Sequence, residues 1–270
     1  MGSVKTKVVL IRATDEAEGL IASAGKLCYA HDSQKVFRTD SNDSGQFVQK
    51  LMQMGHESPI EHVVFTFYIE GISRAMTHQL VRHRLASYSQ RSQRYVDHDA
   101  FDYVVPPRLQ GKTVEMDGER IDAVAYFEQT MALIAERYAK LQEALGPKGE
   151  TSNEDARYIL PNACETKILM TMNARELLHF FEERLCVRAQ WEIRRAAEQM
   201  LQLAKGVCPS LFAKAGPKCI RLGGCPEGTR SCGNYDGIRR KYDAEYKREM
   251  EQQFVDLPCK AHHQSVHVKD

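Results

Sequence analysis

The chain has 270 residues, of which 27% are charged, and its formal net charge at pH 7 is +1. A chain of this length can bury a substantial core as one large domain or two small ones, while its near-zero charge argues against a general nucleic-acid coat protein. No apolar run approaches the roughly 20 residues of a membrane span, and residues 1–14 lack the apolar core of a signal peptide. We therefore expect a cytoplasmic protein with no membrane partner, whose eight cysteines are thiols or metal ligands rather than structural disulfides.

The predicted elements, taken along the chain, mix strands with amphipathic helices. Val-, Ile- and Phe-rich runs predict strands at residues 5–13, 62–70, 102–105 and 167–172. Apolar residues at helical spacing predict helices at residues 14–29, 46–54, 72–84, 120–144, 173–185, 189–207 and 238–254, with a short helix around residue 157. Polar residues 31–45 and 85–95 are expected to form irregular loops. This order predicts an α+β fold in which a small antiparallel sheet packs against long helices.

Several helix ends are predicted from single residues. Thr14 is expected to cap the first helix, and Asn153 the short helix that contains Arg157. Gly55 is expected to stop the second helix, and Gly146-Pro147 to end the long fourth one. Each assignment predicts a hydrogen bond or a backbone conformation at that position.

The stretch from Gln79 to Tyr95, QLVRHRLASYSQRSQRY, concentrates positive charge. No Asp or Glu occurs between Gly71 and Tyr95, and the stretch carries four arginines, Arg82, Arg84, Arg91 and Arg94. Guanidinium groups grip phosphate oxygens in pairs and stay charged, and the interleaved Ser and Gln side chains add neutral donors and acceptors. We therefore expect a bound polyanion; the alternative is a solvated basic face or a local salt-bridge network.

The order of residues around this stretch adds a second kind of information. Arg82-His83-Arg84 is followed after seven residues by Ser92, and GHESPIEHVVFTF stands upstream at residues 55–67. Downstream come Ala156-Arg157, Leu160-Pro161, Asn173-Ala174-Arg175, Arg184 and Ala189-Gln190-Trp191-Glu192. This ordered set resembles the flavin-dependent thymidylate synthases, from the first strand to about Phe212. The resemblance implies one catalytic domain at residues 1–212, a Cys/Gly/Pro-rich segment with a charged helix and tail at residues 213–270, and a homotetramer with sites shared between subunits.

The resemblance also implies a reaction. In that reaction dUMP is reductively methylated to dTMP, methylenetetrahydrofolate supplies the carbon, and FAD reduced by NADPH supplies the hydride. No cysteine nucleophile is needed, so Cys28, Cys164 and Cys186 are interpreted as small core residues. The implied partner is the small molecule dUMP rather than a nucleic acid.

Individual residues inherit expected roles from the same resemblance. Those implied to bind the flavin are His56, Ser58, Arg82, His83, Arg84, Gln90, Asn173, Arg175 and His179. Those implied to bind dUMP are Gln79, Arg82, Gln90, Arg91, Ser92, Gln93, Arg94, Arg157 and Arg184. Arg184 is expected to be catalytic, because a fixed guanidinium can stabilise the pyrimidine anion as charge develops. Position 90 departs from the family pattern, since many members carry Glu there and this chain lacks that negative charge.

Several of these residues have simpler structural interpretations. Asn173 could cap a helix, and Arg184 near a helix C-terminus would interact with the macrodipole. His56 could serve as a structural hydrogen bonder, and His83 could pack in the core. Ser92 is interpreted as a binding residue rather than a nucleophile, because no general base is indicated for it.

Four cysteines fall in the Gly- and Pro-rich region: Cys208, Cys219, Cys225 and Cys232. Four thiolates could make a tetrahedral zinc site, but no C-x-x-C pair occurs among them. We therefore predict no metal centre and keep these four residues as the candidates for one; free or redox-active thiols are the alternative.

Two other functions remain open on the sequence alone. A nucleic-acid-binding module would use the Arg-rich stretch for phosphates and the cysteines for zinc, although no aromatic stacking platform surrounds the arginines. A flavin enzyme that methylates an RNA uracil would keep the cofactor and change the substrate. The salt dependence of polynucleotide binding and competition by dUMP would distinguish these functions.

Overall fold

A computed structural model describes residues 1–31, residue 36 and residues 41–243 of the chain. Its strands are β1 (Lys7–Ala13), β2 (Val64–Ser73), β3 (Ala86–Gln90), β4 (Thr113–Met116), β5 (Glu119–Asp122) and β6 (Glu165–Asn173). Its α-helices are α1 (Ala17–Leu27), α2 (Ser41–Gln53), α3 (Arg74–Leu80), α4 (Ala123–Ala144), α5 (Glu150–Ala156), α6 (Ala174–Arg184), α7 (Trp191–Val207), α8 (Pro209–Phe212), α9 (Lys218–Arg221) and α10 (Tyr235–Tyr242). Short 3₁₀ turns cover Ser58–His62, Pro107–Leu109, Arg157–Ile159 and Gly228–Arg230.

The centre of the fold is an antiparallel sheet in the order β1-β2-β6-β3. Side chains alternate across β2 as the pleat requires, so that Phe65, Phe67 and Ile69 are fully buried while Val64 is exposed. Helix α7 packs against β1 and contributes the buried Met200 to the same core. The α+β class, with a small antiparallel sheet under helices, is confirmed.

A bulge in β2 determines where the sheet joins helix α3. The register with β6 shifts between Ile69 and Ile72, and Gly71 adopts φ +65°. A Cβ at Gly71 would lie 2.1 Å from the carbonyl oxygen of Lys5, so glycine is required there. Two residues later the Ser73 hydroxyl accepts a hydrogen bond from the N–H of Met76 at 3.1 Å. The strand therefore passes directly into a capped helix that begins at Arg74.

In the first half of the chain, several helix boundaries differ from the predicted ones. Most of the predicted loop 31–45 lies outside the described residues, but residues 41–45 belong to α2. The first helix has Glu16 at its N-cap in the left-handed region, without a side-chain cap, so Thr14 does not cap it. Helix α3 ends at Leu80, so His83 follows the helix. Gly55 adopts φ +73° after α2, as expected for a helix stop.

The predicted loop at residues 85–95 was wrong in its first half, because Ala86–Gln90 form strand β3. This strand pairs with β6 at the edge of the sheet. Its polar sequence ASYSQ carries little hydrophobic alternation, so the strand depends on backbone pairing with a partner about 80 residues away, as the register Tyr88 to Met170 illustrates. Local composition could not indicate that pairing.

The second half contains a hairpin that sequence reasoning missed. Strands β4 and β5 pair through a turn at Asp117-Gly118, both with positive φ, and an Asp-Gly pair between strands is a known hairpin signal. The long helix consequently starts at Ala123, where the Asp122 carboxylate accepts from two backbone N–H groups at 3.0 Å. The helix does end near the predicted Gly146.

Three further predictions need correction. Asn153 lies inside α5, whose N-cap is Gly149, so it does not cap that helix, and Arg157 follows α5 in a 3₁₀ turn. The predicted strand at 102–105 is reduced to single bridges at Tyr103. The charged helix predicted at 238–254 corresponds to α10, which starts at Tyr235 and ends at Tyr242, with Asp243 in an extended conformation. Residues 244–254 of that prediction lie outside the described part.

Residues 213–243 pack on the outside of the helical layer. Lys218 pairs with Glu183 of α6 at 2.6 Å, and Lys241 pairs with Glu198 of α7 at 2.8 Å. Tyr242 packs against the main core. The domain boundary at residue 212 stays a prediction. Within the described ranges, no helix is both long and apolar enough to cross a membrane.

Candidate active site

The best-organised polar cluster of the molecule joins α6 to the segment after α3. Arg184, the last residue of α6, donates from Nε to Nε2 of His83 at 3.0 Å. The other ring nitrogen of His83 lies 3.2 Å from a carboxylate oxygen of Glu176. Glu176 lies about two helical turns before Arg184 on α6. An Nη of Arg184 also reaches the backbone carbonyl of Gln79, at 3.4 Å. The sequence of contacts therefore runs from a carboxylate through an imidazole to a guanidinium.

This geometry fixes the tautomer of His83. A guanidinium can only donate, so Nε2 must accept, and Nδ1 carries the proton that is donated to Glu176. Burial lowers the pKa of His83 below its ordinary value, and the neighbouring Arg184 lowers it further, although Glu176 opposes the shift. The imidazole is therefore held neutral and acts as an oriented acceptor for Arg184.

Aromatic and imidazole rings surround this cluster. The ring of His83 meets Phe180 edge-on at 5.0 Å between centroids and lies 5.8 Å from the ring of His179. In the part of the chain that the structure describes, His83, Glu176 and His179 are the one cluster whose potential ligand atoms lie within 4.8 Å. Both nitrogens of His83 are already engaged and one faces a guanidinium, so this arrangement disfavours a metal cation.

Several of the residues expected to bind the flavin lie on α6 or next to the Ser58–His62 turn that packs against it, whereas Gln90 ends strand β3. Arg175 of α6 pairs with Glu57 at 3.2 Å and Glu61 at 2.5 Å, which holds the Ser58–His62 turn against α6. His56, Ser58 and His179 are exposed. Ser58 begins the turn, His56 lies two residues before it, and His179 lies on α6. Asn173 caps α6, since its side-chain oxygen accepts from the N–H of Glu176 at 2.9 Å; its structural interpretation is therefore confirmed.

Arg82 and Arg84, the outer members of the triplet, lie on the surface on either side of the buried His83. Both are exposed, and neither has a hydrogen bond or ion pair with another described residue. Arg82 is close enough to Arg184 to lower the pKa of that guanidinium, although burial is the larger cause. These two cations are thus available to an anion that comes from outside the fold.

The residues expected to bind the nucleotide phosphate form a second group, near the N-terminal end of α3. Arg91 pairs with Glu165 at 2.7 Å, and Arg94 pairs with Glu150 at 2.6 Å and Glu154 at 2.8 Å. For Arg91 and Arg94 the local salt-bridge alternative is therefore correct in this structure. It does not apply to Arg82 and Arg84.

The neutral residues of this second group order the backbone between the arginines. The Ser92 hydroxyl accepts from the N–H of Arg94 at 3.0 Å. The amide of Gln90 donates to Thr77 at 3.1 Å and to Thr166 at 3.3 Å, and the amide of Gln93 lies 3.9 Å from the sulfur of Cys164. These hydrogen bonds hold the backbone at residues 91–94, directly after β3, in one turn. Arg157 donates from Nε to the carbonyl of Glu154 at 3.1 Å.

Arg74 is a member of the second group that sequence reasoning missed. It is the first residue of α3, and it donates to the carbonyl of Arg91 at 3.2 Å. Its Nε is buried without a partner in the described residues, and no carboxylate there pairs with it. Burial lowers its pKa, and Arg157 and Arg91 contribute in the same direction. The signal was present in the sequence, because Arg74 lies inside the acid-free region after Gly71.

The candidate cysteines do not form the expected set. Cys219, Cys225 and Cys232 line one cavity, together with Cys186 rather than Cys208. Cys208 belongs to the main core beside Leu211, and burial raises its pKa to about 12. The interpretation of Cys28 and Cys186 as core residues was wrong, because Cys28 is exposed and Cys186 is half-buried at the end of α6, whereas Cys164 is buried as expected.

Comparisons with known proteins all return one family. A family profile described as "Thymidylate synthase complementing protein" matches residues 9–210. A protein of Nitratidesulfovibrio vulgaris named flavin-dependent thymidylate synthase is 47% identical over 246 residues, which is 87% of this chain and 97% of that protein. Proteins with the same name from Clostridium tetani and Pyrococcus furiosus are 46% and 41% identical, over 87% and 82% of this chain and 96% and 89% of their own lengths.

Proposed function

The chain belongs to the flavin-dependent thymidylate synthase family, and from this premise we propose that it converts dUMP to dTMP. In this proposal methylenetetrahydrofolate is the carbon donor and FAD reduced by NADPH is the hydride source. The observation that carries the proposal is the guanidinium of Arg184, held at 3.0 Å by a neutral His83. A cation fixed in this way is pre-organised for a substrate on which negative charge develops.

The residues around His83 fit a flavin dinucleotide. Its diphosphate needs cations that the protein does not already neutralise, and Arg82 and Arg84 are exposed arginines of this kind. Its ring system needs a flat surface and hydrogen-bond donors, which His179 and the turn at Ser58 offer. In the proposal His56, Ser58, Arg82, His83, Arg84, Gln90, Asn173, Arg175 and His179 hold FAD. When bound, FAD supplies the hydride that completes the methyl group.

Arg184 acts on the pyrimidine in this proposal. Removal of the N3 proton places negative charge on the uracil oxygens, and that charge is consumed when C5 attacks the carbon donor. Arg184 offers Nη–H donors to that charge while its Nε is occupied by His83, so the guanidinium cannot rotate away. Gln79, whose carbonyl also accepts from Arg184, adds an amide on the same side. The protein thereby lowers the energy of the developing anion without moving.

The second group suits the phosphate and sugar of dUMP. Arg74 is half-buried and has no carboxylate partner among the described residues, so a phosphate would supply its missing counter-charge. Arg91 and Arg157 lie close to it, and Ser92, Gln93 and Arg94 follow Arg91 along the chain. The two carboxylate pairs of Arg94 are exposed and can be exchanged for a phosphate oxygen at small cost. Gln90 joins the two groups through its bond to Thr77 of α3.

We also propose a homotetramer in which neighbouring subunits complete the sites. Large apolar side chains beside the arginines support it: Leu85 is 72% exposed and Tyr158 is 83% exposed. A partner subunit that covered them would remove apolar surface from water. Light scattering should give about four times the 30.7 kDa mass of one chain; a monomeric mass would overturn this part of the proposal.

The experiment that tests the function is a visible absorption spectrum of the purified protein. We expect an oxidised-flavin band that bleaches on anaerobic addition of NADPH, faster when dUMP is present. Polynucleotide added in place of dUMP serves as the control and should not accelerate bleaching. If no flavin band forms after FAD is added back, the protein is not a flavoenzyme, and the arginines instead serve a phosphate-binding module.

A further inference from the structure

Four cysteines line one cavity between the end of α6 and the segment 213–243. The cavity has a volume of about 250 Å³, and its lining includes Cys186, Cys219, Cys225 and Cys232. Cys186 follows α6 by two residues, Cys219 lies in α9, and the other two flank the Gly228–Arg230 turn. Seven cysteines are described and none forms a disulfide, so these four thiols converge without a covalent bond.

We propose that these four cysteines are a tetrathiolate site for one zinc ion, which joins the C-terminal segment to the end of α6. Four sulfur ligands in a tetrahedron select zinc or iron among the common biological metals, and structural zinc sites are closed by four protein ligands. The inference is independent of the proposed reaction, because none of the four thiols is used in it.

The carboxylates around the cavity are already paired with cations. Glu183 pairs with Lys218 at 2.6 Å and Glu227 with Arg188 at 2.5 Å, while Glu182 pairs with Arg221. The described lining therefore leaves the sulfur atoms as the ligands without a counter-ion. That pattern favours a thiophilic cation over a hard cation such as magnesium, which requires oxygen ligands.

The chain is shaped so that the sulfurs can converge. A glycine with positive φ follows each of the three later cysteines within four residues: Gly223 at +69°, Gly228 at +53° and Gly233 at +71°.

The four thiols need a cation to approach one another as thiolates, because like charges repel. Among the described residues, no three of these sulfurs lie within 4.8 Å of one another, whereas zinc–sulfur bonds of about 2.3 Å place the sulfurs about 3.8 Å apart. Binding therefore requires the sulfurs to move closer together than they lie in this structure.

The site would act on the end of α6. Arg184 lines the same cavity and stands two residues before Cys186, so a ligand bond at Cys186 would fix the last turn of α6 and the backbone that carries Arg184. Zinc in this position is structural rather than catalytic, because four protein sulfurs leave no open coordination position.

The test is the zinc content of the full-length chain, produced with added zinc and purified without oxygen. We expect about one zinc per chain, and less than a tenth of that in Cys225→Ser and Cys219→Ser. Two controls separate the site from other cysteines: Cys208→Ala removes the core thiol and Cys28→Ser an exposed one, and both should keep the full zinc content. No zinc in the wild-type chain, or equal content in all five proteins, would overturn the proposal.

A second measurement covers variants that fail to fold. Native wild-type protein is alkylated with iodoacetamide before and after removal of zinc by a chelator, and labelled positions are read by mass spectrometry. We expect Cys225 and Cys232 to be protected only while zinc is bound and the exposed Cys28 to be labelled in both states. Equal labelling of Cys225 and Cys232 with and without chelator contradicts the site.

Discussion

Helix α3 separates two groups of arginines that the fold treats differently. Beyond its C-terminal end, Arg184 bonds to a neutral imidazole and a carbonyl. At its N-terminal end, Arg91 and Arg94 pair with carboxylates at 2.6 to 2.8 Å. The axial distance between Arg74 and Leu80 is about 9 Å at 1.5 Å per residue. These arginines carry the same charge, but Arg184 has neutral hydrogen-bond partners, whereas Arg91 and Arg94 have carboxylate partners.

The difference indicates what each end is prepared to bind. A guanidinium whose neighbours are neutral keeps its full charge for a ligand, and a buried one loses hydration that only an anion can replace. A guanidinium paired with exposed carboxylates must first break those ion pairs before it can bind a ligand anion. We therefore expect chemistry to depend on Arg184, and phosphate affinity to depend more on Arg74 than on Arg94.

The largest expected effect follows from Arg184→Ala. Because one fixed donor to a developing anion is typically worth 10² to 10³ in rate, kcat should fall by about that factor while bound FAD is retained. Stopped-flow and steady-state turnover with the flavin spectrum as a loading check measure both quantities. Arg188→Ala, an exposed arginine four residues on that pairs with Glu227, is the matched control and should stay near wild type. Wild-type kinetics in Arg184→Ala would remove its assigned role.

An intermediate effect is expected at the phosphate end. Arg74→Ala should weaken dUMP binding by about 10- to 100-fold, since a charge-assisted hydrogen bond contributes about 1.5 to 3 kcal/mol. Arg94→Ala should weaken it less, because its carboxylate pairs are lost at the same time. Titration calorimetry measures both dissociation constants.

Deoxyuridine provides the control for that pair of variants, since it lacks the phosphate. Its affinity should be the same in wild type and Arg74→Ala. A loss of deoxyuridine affinity equal to the loss of dUMP affinity would mean that Arg74 supports the fold of the site rather than the phosphate.

The smallest expected effect is on stability, through His83. Its folded-state pKa lies below the ordinary 6.5, so the unfolded chain takes up a proton first as the pH falls. The stability that neutral His83 contributes is therefore present above pH 6.5 and is lost as the pH falls through the lowered pKa, by at most about 1.4 kcal/mol per pH unit. Urea unfolding between pH 7.5 and 5 measures this slope.

His83→Gln should flatten that dependence. Burial also lowers the pKa of His98, so His98→Gln removes a second contribution of the same sign, and the double variant should be the flattest. An unchanged slope in His83→Gln would mean that the imidazole is not held neutral by its contacts.

Sequence alone predicted one end of α3 better than the other. At the Arg184 end, Gln79, His83 and Arg184 were named, because the ordered motif includes His83 and Arg184 and resembles a known family, but Glu176, which contacts His83, was missed. Their mutual contacts were not predicted, since the 3.0 Å bond joins positions 101 residues apart. At the other end Arg74 was missed although it lies in the acid-free region after Gly71, because only the packing of Glu165 onto Arg91 shows that Arg74 is left without a carboxylate partner among the described residues.

Strands and helices were predicted where their own residues show a hydrophobic pattern. They were missed where they form only through contact with a distant segment of the chain. Strand β2 and helix α7 bury strong apolar faces, so their patterns were sufficient. Strand β3 is polar and exists through pairing with β6, and Cys186 joined the other cysteines only through the packing of α9 on α6. Asn173 illustrates a third case, in which the local interpretation as a cap was correct and the implied flavin contact stays a prediction.

Gly71 has a consequence for how this sequence can change over evolutionary time. Every replacement adds a Cβ that would meet the Lys5 carbonyl at 2.1 Å, so no amino-acid replacement at this position is neutral for the fold. Drift can exchange one β-branched residue for another elsewhere in β2, but it cannot remove the bulge. The point at which the strand becomes helix α3, and with it the spacing between the two groups of arginines, is therefore inherited as a unit.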